Sequence, residues 1–285
     1  MTFMHRIDLG FPALLEFHGP DTVRFLNGQL TQDVRRVVGS AIALPSCVTD
    51  AKGRLQFRIW ITESANGAIL VEGSAESAEM LEARLTRYLI ADDVEVSQLT
   101  GKWSLVHFTG PLTETPPEGV MVRESARFGQ AGTDWWIPAE LHIDFPKEIP
   151  QLEGDALEAF RIGHGVPAWG KELYEGILPP EAGLEATDIS YQKGCYIGQE
   201  VISRIKSAGK VNKRLERLTL DASVPMDFKN LIDSEGRSAG ELTSVSPQEM
   251  NGSRQALGYV KRGATDIFVA SPDGTRHTAV QRFAA

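Results

Sequence analysis

Cysteine is nearly missing from this chain, which carries only Cys47 and Cys195 among 285 residues. No Cys-x-x-Cys pair occurs, and two thiols cannot supply the usual ligand set of an iron–sulfur cluster, so no stable cluster is expected on one chain. The two lie far apart in sequence, and the expectation is of reduced thiols in a cytoplasmic protein rather than a disulfide. The six histidines have no metal-ligand spacing, so no resident metal site is expected. Long apolar runs are absent: nothing approaches about eighteen consecutive apolar residues, and Met1–Gly10 carries Arg6 and Asp8 where a signal peptide would be apolar. Neither a membrane span nor an export signal is expected. An excess of positive charge is absent too. Lys and Arg number 29 against 38 Asp and Glu, for a net charge of −9 and a pI near 5.3. Such acidity argues against a general binder of nucleic acid or anionic membrane, and direct RNA binding is not expected.

What is present is an alternation of strand-like and helical pieces. Ala13–Phe17 is a short apolar run. Pro20-Asp21 then opens a helix with Val23, Leu26 and Leu30 on one face. Leu55, Phe57, Ile59 and Ile61 alternate with polar or bulky neighbours, as in a half-buried strand, and Asn66-Gly67 signals a hairpin returning through Ala68–Val71. Residues 75–90 predict an amphipathic helix with Ala78, Leu81, Leu85 and Tyr88 on its apolar face and Glu76, Glu79, Glu82 and Arg84 on or near the polar one. Strands are predicted at Val94–Leu99 and Trp103–Phe108, and a helix from about Asp155 to His164 capped by Gly165. After Gly209, short apolar runs such as Leu215–Leu220, Ala256–Val260 and Ile267–Ala270 alternate with turn residues, which reads as a small all-β barrel or sandwich.

One stretch carries chemistry. Residues 193–200 read Lys-Gly-Cys-Tyr-Ile-Gly-Gln-Glu. Ile197, Val201, Ile202 and Ile205 share a helical face, so a helix is predicted to start near Ile197 or Gly198, with Cys195 at or just before its N-terminus. Unpaired amides, the helix dipole and nearby Lys193 would all favour a thiolate there. The alternative is a cysteine in a tight turn whose glycines serve geometry alone. A catalytic cysteine needs a base, and His164 is the candidate that only a structure can place. A basic run, Arg204, Lys206, Lys210, Lys213, Arg214 and Arg217, is read either as an anion site or as a solvated helix end and linker. The Gly- and Pro-rich segment Phe160–Gly170 reads as ordered loop.

The octapeptide closely resembles the signature of the YgfZ family of folate-binding proteins, relatives of the aminomethyltransferase (T-protein) of the glycine cleavage system. Phe25–Val34, Thr49–Arg54, Leu178–Leu184, Lys193–Arg204 and Gly258–Val260 are similar to family segments in the same order, over nearly the whole chain. The Phe-Arg-x-x-x-Gly-Val-Pro form at residues 160–167 is similar to the mitochondrial-type branch, which acts in iron–sulfur assembly. The resemblance implies an α+β, three-domain aminomethyltransferase-like folate-binding fold with a C-terminal antiparallel β-barrel. It divides the chain into a discontinuous folate-binding domain (1–50 plus 151–207), an α+β domain (51–150) and the barrel (208–285). It implies a folate-binding accessory protein that supports iron–sulfur cluster assembly or repair in client enzymes, including tRNA-modifying radical enzymes. Cys195 would be the essential thiol, with Lys193 beside it. Gly194, Tyr196, Gly198, Gln199, Glu200, Arg204, Arg161, Asp50 and Lys52 would form the motif and folate cavity. Tetrahydrofolate or a folate derivative is the implied cofactor. Iron–sulfur client proteins or assembly factors are the implied partners, and transient contact of Cys195 with iron the one metal role. No ordinary catalytic activity is expected.

The alternative is a tetrahydrofolate-dependent aminomethyltransferase or related one-carbon transferase. Two departures from the transferases bear on it, the first on one-carbon transfer and the second on the grip on the pterin. The transferases have a carboxylate near the stretch that here reads Lys52-Gly53-Arg54-Leu55-Gln56-Phe57, and a pterin-gripping glutamate where this chain has Gly163.

Overall fold

The chain begins with β1 (Arg6–Gly10) and β2 (Ala13–His18), then α1 (Thr22–Gln29), β3 (Leu44–Thr49), β4 (Leu55–Glu63) and β5 (Ile69–Gly73). After α2 (Ala78–Thr86) come β6 (Glu95–Gln98), β7 (Trp103–Phe108), β8 (Met121–Ser125) and β9 (Gly132–Pro138). These elements are seen in a computed structural model that describes residues 4–110, 112, 114–272 and 275–282. The chain folds as two compact units, Met1–Leu152 with Glu185–Ser203, and Glu153–Leu184 with Arg204–Ala285.

The first unit holds two antiparallel sheets, ordered β3-β4-β5-β2-β6 and β1-β7-β9-β8. The Asn66-Gly67 signal is a real turn: Gly67 has φ 83°, and Glu63 pairs with Ile69 across the β4–β5 hairpin. The apolar face of α1 (Phe25, Leu26) and that of α2 (Leu81, Leu85) close over Leu15, Phe17, Ile59, Ile61 and Val71 of the five-stranded sheet. A second cluster, Leu14, Leu70, Leu105 and Trp136, joins that sheet to the four-stranded one. Between the same sheets lies buried Arg127, whose Nη1 donates to Glu72 on β5 at 2.8 Å and whose Nε donates to Asp134 on β9 at 2.7 Å.

The helix predicted over 75–90 is shorter. A 3-10 turn at Ala75–Ser77 precedes α2, and α2 stops at Thr86. There the Thr86 hydroxyl donates back to the Glu82 carbonyl at 2.8 Å, a bond that competes with helix continuation. Tyr88, expected on the apolar face, is instead exposed and flanked by the guanidinium groups of Arg84 and Arg87 at 5.4 and 5.8 Å from its ring centre.

In the second unit α3 (Gly154–Gly163) ends at His164, and Gly165 follows with φ 72°, as the sequence predicts for a glycine cap. The chain passes from the first unit to the second within α4 (Gln199–Ala208). The remaining strands are β10 (Lys213–Asp221), β11 (Asn230–Ile232), β12 (Ser238–Met250), β13 (Ser253–Lys261), β14 (Phe268–Ala270), β15 (Arg276–Ala279) and β16 (Gln281–Arg282). They form a nearly closed seven-stranded antiparallel barrel in the order β15-β14-β11-β12-β13-β10-β16. Its core is Leu218, Leu220, Leu231, Leu242, Ala256, Val260 and Val269. The expected C-terminal β-barrel and the α+β class are therefore what the chain adopts. Among the described residues no helix is long and apolar enough to cross a membrane.

Candidate functional site

Three stretches far apart in sequence meet in the first unit: residues 28–32 leaving α1, residues 49–53 between β3 and β4, and residues 187–198 approaching α4. Backbone and short polar side chains sew them together. Ser190 N–H donates to the Thr31 carbonyl at 2.9 Å and Ile197 N–H to the Gly28 carbonyl at 3.2 Å. The Thr31 hydroxyl donates to the Asp188 carbonyl at 2.6 Å, and the Gln32 side-chain amide to the Thr187 carbonyl at 2.8 Å. The Thr49 hydroxyl donates to the Ile197 carbonyl at 2.6 Å. Buried Asp188 accepts from Arg58 Nε on β4 at 2.8 Å, a charge-assisted bond that ties the approach to the sheet.

Two glycines let the backbones touch. Gly198 has φ 87°, and a Cβ there would sit 2.5 Å from the Asp50 carbonyl oxygen and 2.8 Å from Gly53 Cα. Gly53 has φ 71°, and its Cβ would lie 3.2 Å from the Gly198 carbonyl oxygen. Asp50 shapes its turn by accepting the Lys52 and Arg54 amides at 2.8 and 2.9 Å. Lys52 is exposed on that turn.

Lys193 is an anchor. It is 6 % exposed, and its Nζ donates to the carbonyls of Leu30 and Gln32, each at 2.7 Å. Burial pushes its amine down to about 7, with the Asp33 carboxylate working in the other direction. Below about pH 7 folded and unfolded chains both carry this proton. Between there and the ordinary lysine range the unfolded chain binds a proton that the folded chain does not, so this group adds stability as pH rises. Lys193→Met leaves two buried carbonyls unpaired and is expected to cost about 2 kcal/mol. Urea unfolding of parent and variant at pH 6.5 and 9 checks both points: the difference between them should grow in the parent's favour at the higher pH.

Tyr196 is buried beside Ile189, Tyr191 and Ile202, with the Lys193 ammonium 5.3 Å from its ring centre, and burial pushes its phenol up. Cys195 stands between these two buried side chains and is itself exposed and free. At Gly194 nothing lies within 4 Å of where a Cβ would be, so the tip is open. The helix begins at Gln199 rather than at Ile197 or Gly198, because Gly198 holds a left-handed conformation that a helix cannot include. Gln199 is half-buried and Glu200 exposed in the first turn of α4. The other thiol, Cys47, is fully buried on β3; burial first, then the Asp188 charge, pushes it well above its ordinary value. Only Cys195 is presented for chemistry. Among the described residues no group of three or more His, Cys, Asp or Glu is placed to hold a metal ion.

The remaining expected site residues belong to the second unit. Arg161 is buried with all five donors committed: Nε and Nη2 to Glu158, Nη1 to the Val166 carbonyl and Glu172, and Nη2 also to Ser244. It ties α3 to β12 through that network. Arg204 is exposed on α4. His164, the candidate base, is in hydrogen-bond contact through Nδ1 with the Phe160 carbonyl of its own helix at 2.8 Å. From the basic run, Lys213 donates to the Tyr174 hydroxyl at 3.0 Å and Arg217 to the Gly163 carbonyl at 2.9 Å.

Arg84 is a site residue that the sequence does not signal. Its Nε donates to Gln56 Oε1 at 2.6 Å, its Nη1 to Gln29 Oε1 at 2.9 Å and its Nη2 to the Thr49 carbonyl at 2.8 Å. An arginine on the polar face of an amphipathic helix carries no local signal of such contacts.

The two positions at which the sequence departs from the transferases lie in different units and neither carries a carboxylate. At the first departure Gln56 is an amide already bound by Arg84. At the second, a Cβ on Gly163 would lie 2.6 Å from Gln255 Oε1, so an amide oxygen stands where a carboxylate side chain would start.

No family model matches the chain. It is 38% identical to "Putative transferase At1g60990, chloroplastic" of Arabidopsis thaliana, over 92% of this chain and 66% of that protein. It is 26% identical to "Iron-sulfur cluster assembly factor IBA57 homolog, mitochondrial" of Neurospora crassa, over 71% of this chain and 50% of that protein. It is 28% identical to "tRNA-modifying protein YgfZ" of Sodalis glossinidius, over 75% of this chain and 70% of that protein. The chain thus spans about two thirds of the length of the plant relative and half that of the fungal one. Among solved structures, the glycine cleavage system aminomethyltransferase T of Bartonella henselae superposes with a TM-score of 0.80 at 17% identity, over 99% of this chain and 86% of that one.

Proposed function

The chain belongs to the family of YgfZ and IBA57 proteins and has an aminomethyltransferase-like fold, and on that premise we propose that it is a folate-binding accessory protein for iron–sulfur cluster assembly or repair, with Cys195 as its working thiol. The observation that carries this reading is the exposed Cys195 on a loop held by sequence-distant segments of the same unit. A single solvent-facing thiol on a fixed backbone suits transient contact with iron or a sulfur species that passes to a client. The cluster is cargo here, and the clients are iron–sulfur enzymes or assembly factors, tRNA-modifying radical enzymes among them.

Folate enters as a ligand and not as a reactant, since Gln56, an amide held by Arg84, stands where a transferase carboxylate would act on the one-carbon group. The test has two arms. In a bacterial strain lacking its own relative of this chain, four-iron four-sulfur enzymes and radical tRNA modification should lose activity and regain it when the chain is expressed; no regain would overturn the proposal. Titration of the purified chain with tetrahydrofolate should give saturable binding without formation of methylene-tetrahydrofolate from an aminomethyl donor. Formation of that product would instead make the chain a transferase.

A further inference from the structure

We infer that Arg84 is the positioning residue of the Cys195 loop: it fixes the two segments on which the Ile197 peptide unit hangs. Ile197 N–H is held by the Gly28 carbonyl and its carbonyl by the Thr49 hydroxyl. Arg84 reaches both sides of that clamp. Nη1 binds the side chain of Gln29, next to Gly28, and Nη2 binds the carbonyl of Thr49 itself. Nε binds Gln56 on β4, which aims the fork. A planar guanidinium presents its donors at fixed angles, so three acceptors on three segments are locked in one relative geometry. Removing the fork frees residues 28–29 and Thr49 to move apart, and Ile197, two residues after the thiol, loses its fixed seat. That this matters for activity rests on the reading of Cys195 as the working thiol; the positioning itself does not.

The experiment compares the full chain with Arg84→Met, Arg84→Lys and Gln29→Met. Residue-resolved amide exchange should quicken at Ile197 by at least about tenfold in all three, with β7 and β9 amides such as Leu105 and Trp136 unchanged. Alkylation of Cys195 by iodoacetamide should rise about threefold as the loop loosens, with Cys47 still unreactive. Gln29→Met tests the same clamp from the acceptor side if Arg84→Met fails to fold. Unchanged exchange at Ile197 would overturn the inference. So would equal acceleration at Leu105 and Trp136, which marks general destabilisation, or normal behaviour of Arg84→Lys, which keeps the charge and loses the fork. If Cys195→Ala retains full activity with client enzymes while the exchange result holds, the functional reading fails and the positioning stands.

Discussion

Cys195→Ala is expected to abolish rescue of iron–sulfur enzymes in a strain lacking its own relative, while changing stability by no more than about 0.5 kcal/mol. The stability half follows from exposure: the side chain is on the surface, and a surface substitution that breaks no cap, network or packed contact has little effect. The functional half follows from the lack of a substitute. Cys47 is the only other thiol; it is fully buried and its proton is held more tightly, so it cannot take over. Cys47→Ala should show the reverse pattern, a loss of about 1 kcal/mol from a small core void with rescue intact. Rescue assays and thermal unfolding of both variants separate the two thiols. Full rescue by Cys195→Ala would remove the thiol from the function.

Gly198→Ala should lower stability by about 3 kcal/mol, and Tm by roughly 10 °C. Two effects add. An alanine at φ 87° is strained wherever it stands, and here its Cβ would also sit 2.5 Å from the Asp50 carbonyl oxygen, a backbone atom that cannot swing aside. Relief requires the β3–β4 turn and the start of α4 to part, which breaks the Thr49–Ile197 bond as well. Gly194→Ala is the control: nothing lies within 4 Å of its Cβ, so its cost should stay near 0.5 kcal/mol. Equal losses in the two variants, read by thermal unfolding, would mean that the backbone contact at Gly198 carries no special weight.

Legibility in the sequence followed how local each signal was. The alternation at Leu55–Ile61, the Asn66-Gly67 turn and the Gly165 cap are decided within a few residues, and the structure has β4, the hairpin and the end of α3 where they fall. Apolar spacing extends the 75–90 helix past its end at Thr86, because it does not register that Thr86 turns its hydroxyl back on the chain. Helical spacing includes Ile197, but Gly198 answers to the close approach of Gly53 from across the fold, so α4 starts only at Gln199. In the sequence Lys193 reads as a charge for the thiol. Its burial and its two carbonyl acceptors depend on where residues 30–32 lie, which nothing near position 193 encodes.

The motif residues are local and survive being read as a string, and they carry the family and, through the resemblance, its barrel, together with the one thiol worth asking about; periodicity alone left the last domain a barrel or a sandwich. Which cysteine is exposed, which lysine is an anchor, and where Arg84 and Arg161 spend their donors depend on the fold. Those outcomes depend on which polar groups lose water together and must then satisfy one another. Such pairings form between residues scores of positions apart, and only a folded chain brings them within hydrogen-bond reach.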